Sequence, residues 1–500
     1  MGIVRRESFW MTVLSYTGVT IGYLNKLLLF PNFLKTEEVG LANILISIAL
    51  IYAQVAALGT NNIILRFFPF FKNDRNRHNG FLFWIILIAM IGFLLVTLLF
   101  ILFHNQVAAY YSVRSSLLIH YYYYVIPLAL AFLVYHIFDN YLRSLLKTIF
   151  STFVYDVLIR LFTTLSITGY ILKLYSFEWF VVVYVSCFCL CALTIIIYTY
   201  IIGHLFLLPT ASTKFNRLKK VVFQFGFFSI LSNISSVLIS NVDALMIAGM
   251  IGLDKTGIYL TITYITGVLL VPYRAIMKIS SPIVAWHWKK KDMKGLEVLY
   301  KKVTINNLII GGFLFVLLWI NMDTIFSFMP SVYREGRFVF LFLGIGKLFD
   351  MITGLNGAIL VTSRKYRFDM LFSILLIFLT ITTNYLLIPP LGINGAAIAA
   401  MFTLFVYHML RVWLVYRWFG IHPFTLNCLW VIITIIITGY IAEMVIIQGH
   451  LFIDSTVQSV LLTVLFFLPV YFFRLSEDIH ATINTAISHL IRVFNPRGGK

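Results

Sequence analysis

Charged side chains within long apolar stretches are the residues of this chain that are best suited to do chemistry. Five basic residues lie inside such stretches: Lys26, Arg160, Arg274, Lys278 and Lys347. A charge at the centre of a bilayer costs roughly 2.5–3.5 kcal/mol on insertion scales, so such residues usually face a cavity or a partner. Lys278 lies near the end of its stretch and can extend its ammonium group to the membrane surface. The other four cations are therefore candidates for binding an anion.

Two of these cations have an acidic residue on the same predicted helix. Asp156 precedes Arg160 by four residues, and Asp350 follows Lys347 by three. These spacings place opposite charges on one helix face, where they could form ion pairs that serve only the fold. Asp243 has no basic residue within four positions. We interpret Asp243 either as the site of a coupling proton or sodium ion, or as a structural partner for a cation on another helix.

The elements that carry these residues are predicted transmembrane helices. Hydrophobic residues make up 61% of the chain and charged residues 11%, far from the values of soluble domains. We predict an all-α polytopic membrane protein with about fourteen spans, because that many stretches are long enough to cross a bilayer. These stretches are 9–31, 41–60, 81–103, 119–142, 150–173, 177–202, 222–250, 257–281, 303–322, 337–360, 368–388, 394–416, 424–447 and 453–473. No soluble domain fits between them, so the sequence favours a transporter over an enzyme, and no metal motif or cofactor motif is present.

Basic residues alternate between the two sides of the predicted membrane. The even-numbered gaps and the two tails hold 27 lysines and arginines, with Arg411 counted among them, and the odd-numbered gaps hold 6. Because cytoplasmic loops are enriched in basic residues, both termini are predicted to be cytoplasmic. The net charge of +19 is therefore placed at membrane boundaries, where anionic lipid headgroups attract it, and does not indicate nucleic-acid binding.

An internal repeat is indicated by matching features on both sides of the polar segment 206–220. Gly40 and Gly257 correspond at an offset of 217, and Pro69 and Pro282 at an offset of 213. Repeats related by an axis along the membrane normal are common in transporters, with the substrate site between them. We predict two pseudo-symmetric six-helix lobes plus two added helices, with these bounds: N-terminal lobe 1–205, cytoplasmic linker 206–220, C-terminal lobe 221–420, extra spans 421–475, and cytoplasmic amphipathic tail 476–500.

The repeat also suggests a gate. The offset of 217 maps Lys26 onto Asp243, and both residues lie fourteen positions before the matching glycines. Opposite charges at symmetry-related positions could meet when the outer side is closed. We therefore predict that these two residues form an ion pair in the inward-open state, and that an incoming anion would compete for Lys26.

Several short motifs resemble those of a known family. The segment Tyr385–Ala399 has a proline, then a glycine, then a stretch of small residues, in which Pro390 and Gly392 would make a tight outside turn. Further similar segments are Gly59–Asn62, Arg66–Pro69, Asp243 with Gly252, and Gly257–Tyr259. In these motifs and in the order of its spans, the chain resembles the polysaccharide flippases of the multidrug/oligosaccharidyl-lipid/polysaccharide exporter superfamily.

This resemblance implies a transporter that works by alternating access around a central cavity. The usual cargo of the family is an oligosaccharide on polyprenyl pyrophosphate, which moves from the cytoplasmic to the outer leaflet of a bacterial inner membrane for cell-surface polysaccharide biosynthesis. The implied partners are this lipid-linked glycan, membrane lipids and a proton or sodium ion, and the implied state is a monomer. A cationic cavity lined by Arg160, Lys347, Arg274 and Lys26 would suit the pyrophosphate.

Three other functions remain open from the sequence. A cation-coupled multidrug exporter of the same fold would need carboxylates within its cavity, and most acids here lie beside cations. A lipid II flippase shares the cationic cavity and the two extra spans. A membrane-embedded glycosyltransferase or polymerase usually carries a large outside loop, and no outside gap here is long enough.

The predicted topology is tested by cysteine labelling from the two sides of the membrane. We expect Asn79 and Thr213 to be labelled from the cytoplasm, and Ser112 and Thr256 from outside, because this orientation follows from the distribution of basic loops. Labelling of Thr213 from outside would overturn both the orientation and the lobe boundary.

Overall fold

The structure is a computed structural model that describes residues 2–208, 213–363, 365, 367–445 and 450–494. All the regular secondary structure in these residues is helical, as predicted. Helices suit a bilayer because each backbone N–H and C=O group is paired within its own segment. The chain divides into two compact units, Met1–Thr261 and Ile262–Lys500.

The first unit is built from long apolar helices joined by short turns. Its main helices are α1 (Gly2–Tyr23), α2 (Thr36–Ala56), α3 (Thr60–Phe71), α4 (Phe81–Leu102), α5 (Val125–Ser144), α6 (Ile159–Ile171), α7 (Phe177–Ile201), α8 (Thr213–Met250) and α9 (Leu253–Thr266), the last of which ends beyond the unit boundary. Short helices at Phe30–Phe33, His104–Tyr111, Ser116–His120 and Thr148–Thr152 connect or extend them.

The second unit has the same construction. Its main helices are α10 (Leu270–Lys290), α11 (Met293–Ile320), α12 (Arg337–Thr353), α13 (Leu355–Thr362), α14 (Arg367–Phe419), α15 (Leu426–Met444), α16 (Leu451–Phe472) and α17 (Glu477–Phe494). The last of these lies in the predicted amphipathic tail, and its start is capped by the Ser476 hydroxyl, which accepts a hydrogen bond from the Ile479 N–H group at 3.3 Å.

The boundary between the units differs in position from the predicted linker. The sequence predicts a linker at 206–220, whereas the first compact unit ends at Thr261 along the chain. The reason is that α8 packs against α2 and α3 and so belongs with the first unit. The division into two six-helix lobes stays a prediction.

The number of spans depends on how bent helices are counted. By length and composition, the described residues contain 11 helices able to cross a membrane, or 12 if Ser331–Thr353 and Leu355–Thr362, which are bent by 45°, form one span. One of the 11, Leu371–Phe419, covers two predicted spans, and the seventh predicted span is represented by the shorter apolar helix Val237–Met250. The all-helical, multi-span fold is thus confirmed, and the count of fourteen stays a prediction.

The chain folds back within α14 at the predicted outside turn. Gly392 has a φ of 60° and a ψ of −138°, a conformation open mainly to glycine. A side chain on Gly395 would collide with the carbonyl oxygen of Leu387. In a straight helix, two residues eight positions apart would instead be separated by about 12 Å. The hydroxyl oxygens of Thr383 and Thr403 are 3.1 Å apart. These contacts require two antiparallel arms, on either side of Gly392.

Helices α2 and α9 are in close contact at the predicted repeat positions. A side chain on Gly40 would collide with the carbonyl oxygen of Leu253, and one on Gly257 would collide with the carbonyl oxygen of Thr36. Thr36 and Leu253 are themselves 217 positions apart, like the two glycines. The contact is therefore reciprocal, as a two-fold relation between repeats at this offset requires. Backbones can approach this closely only where glycine removes the side chain.

Of the labelling positions named above, Asn79 and Thr256 are buried. Asn76 and Asp254 are exposed neighbours on the same two loops and serve in their place, and Ser112 is exposed as it stands. The predicted orientation of the loops is unchanged by this replacement.

Asn25 holds the first helix against α6. Its side-chain amide donates hydrogen bonds to the carbonyl oxygen of Arg160 at 2.9 Å and to the hydroxyl of Thr163 at 3.1 Å. Its carbonyl oxygen accepts a hydrogen bond from the Thr164 hydroxyl at 2.8 Å. Asn25 is buried. Such hydrogen bonds help transmembrane helices to associate, because burying apolar side chains between helices gains little free energy inside a lipid bilayer.

We expect Asn25→Ala to lower the free energy of unfolding by about 1–2 kcal/mol, because it removes three hydrogen bonds that join two helices. Thermal unfolding of the purified protein in detergent measures this change. Asn32→Ala is the matched control, since Asn32 is exposed and its amide donates to the carbonyl of Leu28 in its own helix. Equal effects of the two substitutions would contradict the role of Asn25.

Candidate functional site

Two π-helical segments carry the first candidate charges. Leu24–Leu29 continues α1 and contains Lys26, and Phe153–Leu158 precedes α6 and contains Asp156. A π-helical turn holds more residues than an α-helical turn and is frequent at functional sites. Both predicted site residues therefore lie where the helix geometry is irregular.

The ammonium group of Lys26 is directed to a neutral partner. It donates a hydrogen bond to the side-chain oxygen of Asn43 on α2 at 2.6 Å, and it lies 4.6 Å from the ring centroid of Phe30. The cation–π contact and the amide oxygen together offset part of the cost of removing the ammonium group from water. The charge itself is not cancelled by either contact.

Asp156 and Arg160 do not form the ion pair that their spacing predicts. Asp156 accepts a hydrogen bond from the Ser15 hydroxyl at 2.6 Å, and no ion pair joins it to Arg160 within the part of the chain that the structure describes. Asp156 lies in the π-helical segment, and its carboxylate is directed to Ser15 on α1 instead of to Arg160. The prediction of a self-neutralising pair rested on α-helical spacing.

Arg160 therefore has hydrogen-bonding capacity that the described residues do not use. Its Nη1 atom is buried without a hydrogen-bond partner among them. The guanidinium group lies against Gly18, where any side chain would crowd Nη1. A guanidinium group presents several N–H donors in one plane, a geometry that matches phosphate and carboxylate oxygens.

Asp243 is also placed in the first unit. Its carboxylate accepts a hydrogen bond from the Tyr259 hydroxyl at 3.1 Å. The two predicted gate residues thus have different partners in this structure, Lys26 with Asn43 and Asp243 with Tyr259. An ion pair between Lys26 and Asp243 in another state of the transport cycle stays a prediction.

The second unit contains a cluster of charged and titratable side chains around Asp350. Its Oδ1 atom lies 3.4 Å from Nε2 of His408, and the two side chains are 28% and 4% exposed. Lys347 and Arg411 are close enough to act on the same carboxylate electrostatically. We name these four residues, Lys347, Asp350, His408 and Arg411, the Asp350 cluster.

Lys347 does not pair with Asp350 as the spacing predicts. Within the described residues its half-buried ammonium group has neither a hydrogen bond nor an ion pair within 4 Å. The Asp350 carboxylate is directed instead to His408 on α14. The partner of Asp350 is therefore His408 on α14 and not Lys347 on its own helix. The spacing of residues in the sequence cannot reveal a partner on another helix.

The interpretation of Arg411 as a loop cation was wrong. Arg411 lies within α14, is 8% exposed, and places its guanidinium group 4.3 Å from the ring centroid of Tyr407. Its Nη1 atom lies close to Gly357 of α13. The signal that could have found it is its position inside the predicted span 394–416, together with His408 one turn earlier.

A helix break lies beside the Asp350 cluster. The axis bends by 45° between Ser331–Thr353 and Leu355–Thr362, and the Tyr273 hydroxyl of α10 lies against Gly354 at the bend. Broken helices at membrane depth are tolerated where they are buried in protein or line a water-filled cavity, and they often form binding sites in transporters. Arg274, the fourth predicted binding residue, is exposed on α10.

One group of residues has the spacing of metal ligands, although the sequence predicts no metal site. Asp74, His78 and His204 place ligand atoms within 4.8 Å of one another. Nδ1 of His78 accepts a hydrogen bond from the Asn73 N–H group at 3.1 Å, so the neutral ring carries its proton on Nε2, which faces Nδ1 of His204 at 3.3 Å.

Burial and the nearby Lys147 hold the pKa of His204 below its usual range, which keeps the imidazole neutral and able to accept a hydrogen bond from His78. With its proton on Nε2, His78 has no lone pair at this atom for a metal ion. The arrangement is a hydrogen bond between two imidazoles.

Comparison with known proteins gives a family match and relatives of low sequence identity. The family described as polysaccharide biosynthesis protein matches residues 4–284. The capsular polysaccharide biosynthesis protein CapF of Staphylococcus aureus is 22% identical over 194 residues, which is 39% of this chain and 48% of CapF, so the match spans about half of that relative. An uncharacterised membrane protein of Methanocaldococcus jannaschii is 21% identical over 85% of this chain and 86% of its own length.

Solved structures with the same fold are membrane transporters. The lipid II flippase MurJ in an inward closed conformation superposes with a TM-score of 0.75 at 12% identity, covering 93% of this chain and 98% of MurJ. An inward-facing multidrug resistance transporter of the MATE family superposes with a TM-score of 0.64 at 14% identity, covering 80% and 94%. At these identities the likeness shows the fold alone. Because the family match covers more than half of the sequence, the chain belongs to the polysaccharide biosynthesis protein family.

Proposed function

We propose that this protein flips a polyprenyl-pyrophosphate-linked oligosaccharide from the cytoplasmic to the outer leaflet of the membrane by alternating access. The observation that carries this proposal is that each compact unit holds an intramembrane cation without an ion-pair partner among the described residues, Arg160 in the first and Lys347 in the second. The family match to polysaccharide biosynthesis proteins and a fold shared with transporters support it.

The chemistry of the cargo fits these cations. A pyrophosphate group brings about two negative charges into the membrane, and removing such a charge from water is costly unless cations meet it. A guanidinium group can bind two phosphate oxygens at once, and an ammonium group acts as a point charge. A cation that already forms an ion pair with an aspartate would stabilise the pyrophosphate less. Arg160 and Lys347 are therefore the residues expected to touch the pyrophosphate, with Lys26 and Arg274 as further candidates.

A cation-coupled multidrug exporter is the less favoured alternative. Such a transporter needs carboxylates that can exchange a drug cation for a coupling ion. Here Asp156 accepts a hydrogen bond from Ser15, Asp243 accepts one from Tyr259, and Asp350 faces His408. These three carboxylates are thus engaged by protein groups, whereas Arg160 and Lys347 have no ion-pair partner among the described residues. This balance supports an anionic cargo.

Lipid II is a second candidate cargo, because the structure shares its fold with the lipid II flippase MurJ. It also carries a pyrophosphate, so the cationic residues do not distinguish it. The family of capsule and polysaccharide proteins favours another glycan. Deletion in the native host followed by analysis of the lipid-linked glycan that accumulates inside separates the two. We further propose that the protein acts as a monomer in a bacterial inner membrane with both termini cytoplasmic.

Arg160→Ala and Lys347→Ala should each reduce glycan export at least tenfold while leaving the protein at near-normal levels, because each removes a cation that meets the pyrophosphate charge. Export is measured as surface glycan in a deletion host, with immunoblots for protein level. Lys278→Ala is the matched control, since Lys278 is exposed near the end of its predicted span.

Removal of the acidic neighbour gives the opposing outcome. If Arg160→Ala combined with Asp156→Ala, or Lys347→Ala combined with Asp350→Ala, restored export, the cations would serve the fold and not the cargo. Arg160→Lys should keep partial activity, because it retains the charge and loses the planar donor pair.

The gate is tested by exchanging its charges. Lys26→Asp together with Asp243→Lys should recover more export than either single change, because an ion pair would form with reversed polarity. Asn43→Ala is the control, since it removes the partner that Lys26 has in this structure without touching Asp243. No recovery in the exchanged protein would contradict the gate. Export by Asp243→Asn protein that still depends on an ion gradient would separately dismiss a coupling role for Asp243.

A further inference from the structure

We propose that Asp350 and His408 form a proton-binding pair that takes up one proton when an anionic phosphate group binds to Lys347 and Arg411. This inference rests on the proposed function, because it assumes that the cargo presents phosphate oxygens to the second unit. It adds a second ligand, the proton, and assigns it to a pair that spans two helices.

The geometry places one carboxylate among three basic groups. Oδ1 of Asp350 faces Nε2 of His408 at 3.4 Å. Lys347, on the same helix as Asp350, and Arg411, on the same helix as His408, act on this carboxylate from a greater distance than an ion pair allows. Asp350 is therefore the anion of the cluster, and His408 is the basic group closest to its carboxylate.

The charges of the cluster change in a defined way when a phosphate arrives. Before binding, the Asp350 carboxylate is under the influence of Lys347 and Arg411. A phosphate group that binds Lys347 and Arg411 withdraws them from Asp350 and adds negative charge nearby. Both changes favour protonation of a group beside Asp350. His408 is the group in contact with it, and histidine is the side chain that most readily gains a proton near neutral pH.

The hydrogen bonding of His408 defines where the proton goes. Because Nε2 faces a carboxylate oxygen at 3.4 Å, we place the proton of the neutral ring on that atom. Its Nδ1 atom is buried and has no hydrogen-bond partner among the described residues. The added proton comes from water and forms an N–H bond at Nδ1, and it returns to water when the anion leaves. Protonation thus turns an unused acceptor into a donor, the kind of group that a phosphate oxygen needs.

The titratable and charged groups around the pair come from three helices. Tyr273 on α10 lies within electrostatic reach of Asp350 and Arg411. Lys347 accompanies Asp350 on α12, and Arg411 and Tyr407 accompany His408 on α14. Of these groups, His408 is the one that faces the Asp350 carboxylate most closely.

Proton uptake can be measured without transport. The full-length protein in detergent is titrated with inorganic pyrophosphate by calorimetry in two buffers of different ionisation enthalpy at one pH near neutrality. The difference in apparent enthalpy gives the number of protons exchanged. We expect the wild-type protein to take up about one proton more than His408→Gln, since protons exchanged by pyrophosphate itself are the same for both proteins. Asp350→Asn should also reduce the uptake, because it removes the carboxylate that holds the imidazolium.

His422→Gln is the matched control, because His422 lies near Tyr416 and away from the Asp350 cluster, and it should behave as the wild type. Thermal unfolding of each variant shows that it is folded. Pyrophosphate binding with equal proton uptake by wild type, His408→Gln and Asp350→Asn would overturn the proton-binding pair and leave the proposed function standing. Absence of pyrophosphate binding by the wild type would count against the anionic cargo and so against both.

Discussion

The cost of holding a charge away from water is the constraint on which the rest of this structure depends. Three of the intramembrane charges in the described residues are met by a group on another helix, whereas Lys347 and the Nη1 atom of Arg160 have no such partner there. Lys26 is met by Asn43, Asp156 by Ser15 and Asp350 by His408. These contacts soften the desolvation penalty without cancelling it, because a neutral dipole compensates a charge less completely than an opposite charge does. The proposed site thus combines charges that have neutral partners with cations that have none.

The sequence was sufficient for features that depend on local composition. Helical spans follow from long apolar runs, and the turn at Gly392 follows from two prolines and a glycine placed between two such runs. The offset of 217 matched Gly40 with Gly257 as repeat positions, but the contact between their two helices was not predicted. Each of these features depends on residues that are close together in the sequence or that recur at a fixed offset.

Features that depend on the neighbour of a side chain were beyond the sequence. The pairing of Asp156 with Ser15 joins residues 141 positions apart, and no pattern in either helix points to the other. The π-helical segment at Phe153–Leu158, which carries Asp156, was likewise not predicted from the sequence. Arg411 was overlooked because a basic residue near the end of a span resembles a loop cation until its burial is known. Charge positions were thus predictable, and their partners were not.

The paired glycines of α2 and α9 have a consequence for how this family of sequences can change. Each glycine makes room for a carbonyl group of the opposite helix. An enlarged residue in a packed core is often accommodated by shrinking its neighbour. Here no such exchange is open, since the neighbour is backbone and the facing side chain is already absent. Neither glycine can therefore be enlarged unless the two helices move apart. The contact between α2 and α9 is thus a structural landmark by which a distant relative could be superposed on this chain.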